Sequence, residues 1–281
     1  IYEKEVGGMM KKIARHLVLI FLSIITFFPL MWMISNSFKT TESIMRKPLS
    51  FIPDFLDFRN FLGALNLAPF DLYIINSIVT SIIIVILQII TGVLLAYGMY
   101  RFSFKLRGMM FKGILLTYML PAATTYVPSY VIIAKLNLID TLTGIIISNS
   151  VAVFTIYMLY NTFKEVPKEL IEAAEMDGAS DMDILLKVVL PISKSTILTN
   201  ALIQFVTMYN NYMWPSLITN SKSKYLISVG LNKFFTSQGN FGENLPLLMA
   251  GNTISVLPLL ILFIVLQKWF IKGISDSGIK G

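Results

Sequence analysis

The sequence contains no cysteine, a single histidine and few charged residues. The lack of cysteine excludes disulfide bonds and thiolate chemistry, and His16 alone cannot form a metal cluster or a histidine-centred triad. Charged residues make up only 14% of the 281 residues, whereas hydrophobic residues make up 55%. This composition is far from that of ordinary soluble proteins and indicates a protein that crosses a membrane several times.

Two further absences concern the source of energy. No G-x-x-x-x-G-K-[ST] segment occurs, so the chain lacks the phosphate-binding loop of that class of ATPase. The apolar runs carry no Asp, Glu, Lys or Arg well inside them, whereas ion-coupled carriers usually place such residues there. We therefore predict that the chain is not an enzyme, has no cofactor of its own, and depends on another subunit for energy.

Long apolar runs rich in Leu and Ile make up much of the sequence. A hydrocarbon core about 30 Å thick needs about 20 apolar residues per helix, and continuous runs favour helices over barrel strands. The predicted fold class is an all-α membrane protein with six transmembrane helices, in a single domain over residues 1–281. The predicted helices span about residues 13–34, 73–98, 109–131, 143–160, 196–218 and 249–271.

The distribution of basic residues predicts the orientation in the membrane. Lys and Arg are retained on the cytoplasmic side, and most of the 23 such residues fall in the two terminal segments and in the 99–108 and 161–195 connections. Both termini are therefore predicted to be cytoplasmic. The net charge of +7 follows mostly from this arrangement, since no clustered basic face for nucleic acid is evident.

One connection, from about 161 to 195, reads like a water-soluble helical element. In ELIEAAEMDGASDMDILLKVVLP, Gly178 is placed to end one helix in a left-handed cap, and Ser180 with Asp183 has the spacing of a capping box for a second. The polar face is acidic, whereas helices that lie on lipid headgroups usually carry Lys and Arg. We therefore predict two short helices that dock to a cytoplasmic protein.

A stripe of uncharged polar residues follows the fifth run. Asn200, Gln204, Thr207 and Asn211 recur at intervals of four, three and four residues, which places them on one face of a helix. Amides and hydroxyls suit a neutral polyhydroxylated solute, because they both donate and accept hydrogen bonds. Such side chains also form contacts between membrane helices. A translocation pathway and interhelical packing both stay open as interpretations.

Prolines and aromatic residues add two expectations. Pro121 and Pro128 are expected to kink or loosen the third helix. Tyr209, Tyr212 and Trp214 are expected to form an aromatic belt at the outer interface, in preference to a platform for sugar stacking.

The short-helix connection also matches a known pattern: E-A-A, three residues, G, nine residues, I, one residue, L-P. The matching residues are Glu172, Ala173, Ala174, Gly178, Leu190 and Pro191, with Val188 in place of Ile. In this pattern the chain resembles the permease subunits of binding-protein-dependent ABC importers. In that family the loop forms coupling helices, which sit in a cleft of the ATPase subunit. The resemblance therefore assigns these six residues to ATPase coupling.

Three further segments resemble the carbohydrate branch of that family, and specifically the shorter permease of maltose-type systems. They are YNNYMWPSLIT at 209–219, with Tyr209 where Trp is usual, LMAGNTISVLP at 248–258, and the terminal KGISDSGIKG. The resemblance implies a subunit of the bacterial cytoplasmic membrane that forms half of the pathway for a sugar or oligosaccharide. The implied partners are an extracytoplasmic solute-binding protein, a second, different permease, and two ATPase subunits that hold ATP and Mg.

Two alternatives to a sugar importer remain. Glycerol-phosphate importers share the same segments, so the solute is alternatively glycerol phosphate or another small polar molecule. A channel or structural membrane subunit without an ATPase is the third interpretation. Transport that is insensitive to ATP depletion would distinguish it from both importers.

Overall fold

A computed structural model describes residues 2–53, 55–237 and 244–278 of the protein. Within these residues all regular structure is helical. The α-helices are α1 (Tyr2–Asn36), α2 (Thr41–Arg46), α3 (Arg59–Leu67), α4 (Phe70–Arg101), α5 (Arg107–Met119), α6 (Ala122–Lys135), α7 (Leu142–Ser148), α8 (Val153–Lys164), α9 (Lys168–Met176), α10 (Asp181–Ile184), α11 (Leu190–Ile192), α12 (Lys194–Tyr209), α13 (Met213–Ile218), α14 (Ile227–Ser237) and α15 (Leu245–Gly278). A π-helix covers Leu185–Val189, and a short 3-10 helix covers Lys222–Lys224.

Among the described residues, three helices are long and apolar enough to cross a membrane. They are Lys12–Asn36 within α1, Phe70–Arg101 in α4 and Leu245–Val265 within α15, with mean hydropathies of 2.5, 2.7 and 2.2. These helices confirm long apolar helices at the first, second and sixth predicted runs. The fourth run corresponds to α7 and α8, which together pass the same test but are bent by 42° at the break between them.

The third predicted run, residues 109–131, is divided into α5 and α6 by a break at Leu120 and Pro121. Proline has no N–H to donate and disfavours helical geometry at the residue before it. Leu120 accordingly has an extended ψ of 133°. The expected irregularity at Pro121 is confirmed, and Pro128 lies inside α6.

The fifth predicted run, residues 196–218, is likewise divided, into α12 and α13. The chain leaves α-helical geometry between Asn210 and Tyr212. Pro215 has no N–H, so it cannot donate to the carbonyl four residues earlier, at Asn211. Asparagine side chains also compete with the backbone for hydrogen bonds, as the Asn210 amide does by donating to the Val206 carbonyl at 3.0 Å.

The chain divides into two compact units, residues 1–70 with 231–257 and residues 71–230 with 258–281. In the first unit, the Phe38 ring packs against Phe58 and Phe61, with centroids 5.3 and 4.9 Å apart. The buried Lys39 donates its Nζ to Asn36 Oδ1 at 2.9 Å. These contacts hold the segment that joins α1 to α3.

The second unit contains two apolar cores. One core joins α4 and α8 to the short helices from α9 onward, through Val93, Ala96, Tyr97, Leu159, Phe163, Val166, Ile171, Ile184, Leu185 and Val189. The other joins α4, α6, α7 and α13, through Ile84, Ile133, Ile145, Trp214, Ile218 and Leu226. Each core supports one of the two candidate sites described below.

Candidate functional sites

Helix α9 ends in a tight glycine turn. The Ala179 amide donates to the Ala174 carbonyl and the Gly178 amide donates to the Glu175 carbonyl, both at 3.0 Å, which is the Schellman pattern. Gly178 has a φ of +79°, a region that glycine enters without the steric cost of a Cβ. The predicted left-handed cap at Gly178 is confirmed.

The next helix begins with the predicted capping box. The Asp183 amide donates to Ser180 Oγ at 3.2 Å, and the Ser180 amide donates to Asp183 Oδ2 at 3.3 Å. Lys187 Nζ lies 2.6 Å from Asp183 Oδ1. Hydrogen bonds from Lys187 and then Ser180 stabilise the carboxylate and lower the pKa of Asp183 to about 2. The chain then passes through the π-helix and α11 as far as Ser193.

The six residues matched to the loop pattern occupy different environments on these helices. Glu172, Ala173, Gly178 and Pro191 are exposed, whereas Ala174 and Leu190 are half-buried against the first apolar core. Several large apolar side chains around them are also exposed: Met176 at 88%, and Leu170, Met182 and Leu186 at about half. We call this exposed set, from Leu170 to Leu186, the short-helix surface. Exposed apolar side chains beside carboxylates favour contact with another protein.

Arg101, the last residue of α4, ties both short helices to that long helix. Its Nε donates to Asp181 Oδ1 at 2.6 Å, and its Nη2 pairs with Glu175 on α9. Tyr97 Oη donates to the Asp181 carbonyl at 3.0 Å. The Arg101 side chain is only 28% exposed, so water screens these ion pairs incompletely.

Arg101 was not among the site residues predicted from the sequence. Its partners lie 74 and 80 residues away along the chain, and no local spacing connects them. The positive charge of Arg101 was already explained by the preference of Lys and Arg for the cytoplasmic side of the membrane. The one available signal was a basic residue at the end of an apolar run, followed much later by an acidic helix pair.

The predicted polar stripe of α12 divides into two parts. Asn200 is fully buried, and its Oδ1 accepts a hydrogen bond from Thr155 on α8 at 2.8 Å. Gln204 is also buried. Thr207 and Asn211 instead line an open cleft of about 610 Å³. The contact of Asn200 favours interhelical packing for that residue, whereas Thr207 and Asn211 border a space large enough for a solute.

The cleft lies where three helices are interrupted. Ala122 follows the break between α5 and α6, Asn149 begins the break between α7 and α8, and residues 210–212 form the break between α12 and α13. The other lining residues are Thr125, Tyr126, Ser129, Ser148, Thr207, Met208, Met213 and Trp214. All the lining side chains are uncharged. Two of the breaks have a signal in the sequence: Pro121 for one, and Asn210 and Asn211 with Pro215 for the other. These signals do not show that the breaks lie close together.

Two side chains from α4 support the break between α7 and α8. Gln88 Nε2 donates to the Asn149 carbonyl at 2.8 Å, and the Thr91 hydroxyl, which lies 2.8 Å from the Leu87 carbonyl of its own helix, shares its proton with the Ser150 carbonyl at 3.1 Å. Backbone carbonyls without partners are costly inside a membrane. These two hydrogen bonds therefore stabilise the bent geometry.

Trp214 and Tyr126 form an aromatic wall of the cleft. Their rings are stacked, with centroids 5.8 Å apart and an interplanar angle of 27°, and Trp214 Nε1 donates to Ser148 Oγ at 2.7 Å. Trp214 is 5% exposed and Tyr209 is 1% exposed. The predicted aromatic belt is therefore wrong for these two residues, because they pack within the protein, while Tyr212 is more exposed and lines the cleft.

The chain matches known proteins over the residues of both candidate sites. The family described as "Binding-protein-dependent transport system inner membrane component" matches residues 88–276. The arabinooligosaccharides transport system permease protein AraQ of Halalkalibacterium halodurans is 30% identical over 264 residues, which cover 93% of this chain and 94% of that protein. The sn-glycerol-3-phosphate transport system permease protein UgpE of Pectobacterium atrosepticum is 30% identical over 271 residues, which cover 94% and 96%.

A solved structure has the same fold. It is the crystal structure of a bacterial ABC transporter involved in the import of the acidic polysaccharide alginate, and one of its chains superimposes with a TM-score of 0.80. The match covers 94% of this chain and 98% of that chain at 24% identity. At this identity the likeness shows the fold alone.

Proposed function

We propose a function on one premise: this chain belongs to the family of inner membrane components of binding-protein-dependent transport systems. It acts as a permease subunit of an ATP-driven importer in the bacterial cytoplasmic membrane. It forms half of the translocation pathway for a sugar or oligosaccharide that an extracytoplasmic binding protein delivers. The relatives named as arabinooligosaccharide permeases, which match it over nearly their whole length, support this solute class.

In the proposed topology the chain is a single domain with six membrane crossings and both termini in the cytoplasm. Three long apolar helices and the bent pair α7 and α8 supply four crossings. The broken pairs α5 with α6 and α12 with α13 supply the other two. The breaks are compatible with a membrane interior because non-helical backbone is tolerated there where it is buried in protein or lines a cavity.

The proposed coupling site is the short-helix surface together with the matched loop residues. Glu172, Ala173, Ala174, Gly178, Leu190 and Pro191 form or support the contact with an ATPase subunit. The observation that carries this proposal is that the surface is exposed on one side and firmly attached on the other. The first apolar core and the Arg101 ion pairs join it to α4, so that force applied by an ATPase subunit moves a membrane-spanning helix as a rigid body.

The proposed partners are two ATPase subunits, a second, different permease and an extracytoplasmic solute-binding protein. ATP and Mg bind to the ATPase subunits, and this chain has no cofactor. The most apolar stretch of the span in α1 has no buried residue on this chain, which leaves it available to lipid or to the second permease. The proposed pathway residues Thr207 and Asn211 line the cleft, while Asn200 bonds to α8 and Gln204 is buried.

A glycerol-phosphate importer is the second candidate, because permeases with that name are equally similar to the chain. A phosphate group in a low-dielectric pathway needs cationic or strongly donating partners. The lining of the cleft offers no Lys, Arg or His. This lining favours the neutral solute for the part of the pathway that this subunit forms.

Reconstitution of the complete transporter tests the proposal. The chain is tagged, purified in mild detergent, checked by mass spectrometry for a second permease and an ATPase, and placed in liposomes with its binding protein. We expect ATP-dependent uptake of labelled arabinotriose and none of labelled sn-glycerol 3-phosphate. Preference for the phosphate would replace the sugar assignment, and flux that persists without ATP would support a channel instead.

A further inference from the structure

Three interrupted helices meet at one cleft, and this coincidence requires an explanation. Each interruption removes helical hydrogen bonds from the backbone, and an unpaired backbone group costs several kcal/mol in a membrane interior. The breaks lie at residues 120–121, 149–152 and 210–212, in three separate parts of the chain. In transporters, discontinuous helices gather around the solute because their free backbone groups and polar side chains face a wet cavity.

Side-chain hydrogen bonds stabilise the break between α7 and α8. Gln88 and Thr91 satisfy two of its carbonyls from α4, and the Asn149 Nδ2 group donates to the Ile145 carbonyl at 2.8 Å. At the break between α12 and α13, the Asn210 Nδ2 group donates in the same way to Val206. Each carboxamide uses an N–H on its own helix, and both asparagines belong to the lining of the cleft.

The chemistry of the lining selects a class of solute. Hydroxyl groups of a sugar donate to carboxamide oxygens and accept from the Ser and Thr hydroxyls, and the C–H faces of sugar rings pack on aromatic rings. The cleft supplies all of these groups: the carboxamides of Asn149, Asn210 and Asn211, the hydroxyls of Thr125 and Ser129, and the more exposed rings of Tyr126 and Tyr212. An anionic solute finds no counter-charge among the same residues.

We propose that this cleft is a direct contact site for an uncharged, hydroxyl-rich solute. This subunit then binds the transported sugar itself, in addition to any site in the second permease. The inference rests on the proposed importer function, because the cleft is reached by solute only within an assembled transporter. The volume of about 610 Å³ lies within the roughly 300–1000 Å³ of ordinary small-molecule pockets and admits a short oligosaccharide.

A matched pair of asparagines provides the test. Asn210 and Asn161 both donate their Nδ2 group to the carbonyl four residues earlier on a helix, at 3.0 and 3.1 Å, but only Asn210 lines the cleft. The variants Asn210→Asp and Asn161→Asp therefore make the same change in similar local settings. The complete transporter carrying each variant is placed in liposomes, and initial uptake of labelled arabinotriose is measured against the concentration of arabinotriose-loaded binding protein.

We expect Asn210→Asp to lower the maximal uptake rate about tenfold, because the variant places an unmatched charge in a cleft whose lining is otherwise uncharged. Asn161→Asp should transport as the wild type does. The milder variant Ser129→Ala, which removes a hydroxyl without adding charge, covers the case in which Asn210→Asp fails to assemble, and should lower uptake severalfold. Assembly is checked by copurification of the second permease and the ATPase.

The outcomes separate this inference from the proposed function. Wild-type uptake of arabinotriose together with unchanged uptake by assembled cleft variants overturns the cleft site and leaves the importer function intact. If the wild-type transporter takes up no sugar, the proposed solute class is refuted. Equal losses in Asn161→Asp and Asn210→Asp also overturn the inference, since the effect then follows from charge inside the membrane domain and not from contact with solute.

Discussion

The short-helix surface and the cleft belong to the same unit of the protein but are built in opposite ways. The short helices are held by charge: Arg101 pairs with Glu175 and Asp181, and Lys187 pairs with Asp183. The cleft is held by neutral hydrogen bonds, from Gln88 to Asn149 and from Trp214 to Ser148. The difference follows from the surroundings, since ion pairs are tolerated where water reaches them and are costly inside a membrane.

The two regions also use helix interruptions differently. The turn at Gly178 is local, because one residue with a positive φ and two adjacent hydrogen bonds complete it. The break at Asn149 is not local, because its carbonyls are satisfied by α4, about 60 residues earlier in the chain. A local turn can serve as a fixed docking element, while a break that depends on a distant helix changes when that helix moves. We expect mutations in the short helices to affect coupling, and mutations at the cleft to affect stability and solute uptake.

The largest effect is expected at Gly178. Gly178→Asp forces an L-residue into a φ of +79° and adds a charge to the proposed docking surface, although a side chain there meets no atom of this chain within 4 Å. Backbone strain of about 1–2 kcal/mol, together with a comparable loss at the ATPase contact, predicts a roughly hundredfold loss of uptake at normal protein levels. Uptake in cells and ATPase copurification measure this effect.

Gly178→Asn separates strain from docking. Asparagine enters the left-handed region more easily than other L-residues, so this variant keeps the turn and adds only side-chain bulk. Recovery of uptake in Gly178→Asn would assign the loss to the charge or the greater strain of aspartate, whereas a loss as large as that of Gly178→Asp would assign it to side-chain bulk at the contact. Normal uptake by Gly178→Asp itself would refute the docking proposal.

A smaller loss is expected at Arg101. Arg101→Gln removes the ion pairs to Glu175 and Asp181, and charge-assisted hydrogen bonds of this kind contribute about 1.5–3 kcal/mol. We expect uptake to fall about tenfold while ATP hydrolysis persists, because the short helices then move without α4. Arg101→Lys should restore only part of the uptake, since a single ammonium group cannot form the same paired contacts.

Arg46 supplies the control for the Arg101 variant. It pairs with Glu42 across one helical turn, and both side chains are largely exposed, at 72% and 80%. Such pairs contribute little, so Arg46→Gln should transport like the wild type. If the two Gln variants lost uptake equally, the ion pairs of Arg101 would have no special role in coupling.

A moderate loss of stability is expected at the cleft. Gln88→Leu removes the donor to the half-buried Asn149 carbonyl, at a cost of about 0.5–1.5 kcal/mol. The unfolding temperature of the purified complex should fall, and arabinotriose uptake should fall with it. Gln267→Leu is the control, because Gln267 is exposed and donates only to the Ile264 carbonyl on its own helix. An unchanged unfolding temperature for Gln88→Leu would show that α4 does not support the break.

The smallest effect is a pH dependence at Asp183. Hydrogen bonds from Lys187 and Ser180 lower its pKa from 3.8 to about 2 in the folded state. Its contribution to stability is therefore complete above about pH 4 and is lost as the pH falls towards 2. The unfolding temperature of Asp183→Asn should change less across this window than that of the wild type. Asp177→Asn, which lies outside the capping box, should retain the wild-type pH profile.

Local features of the fold were predictable because their causes lie within a few residues. The glycine cap at Gly178, the capping box of Ser180 with Asp183 and the break at Pro121 all follow from backbone chemistry between near neighbours. The aromatic belt was predicted wrongly, because position along an apolar run does not say whether Trp214 meets lipid or Tyr126. The polar stripe was interpreted as one set, although Asn200 meets α8 and Asn211 borders the cleft.

The sequence by itself determined that this is a helical membrane protein with an acidic pair of short helices of the importer type. Apolar runs, caps and a loop pattern are properties of neighbouring residues, and they need no knowledge of the rest of the chain. Only the tertiary structure decided that Arg101 joins both short helices to α4 and that three broken helices share one uncharged cleft. Those arrangements depend on contacts between residues far apart in the chain, which are formed only when the helices pack.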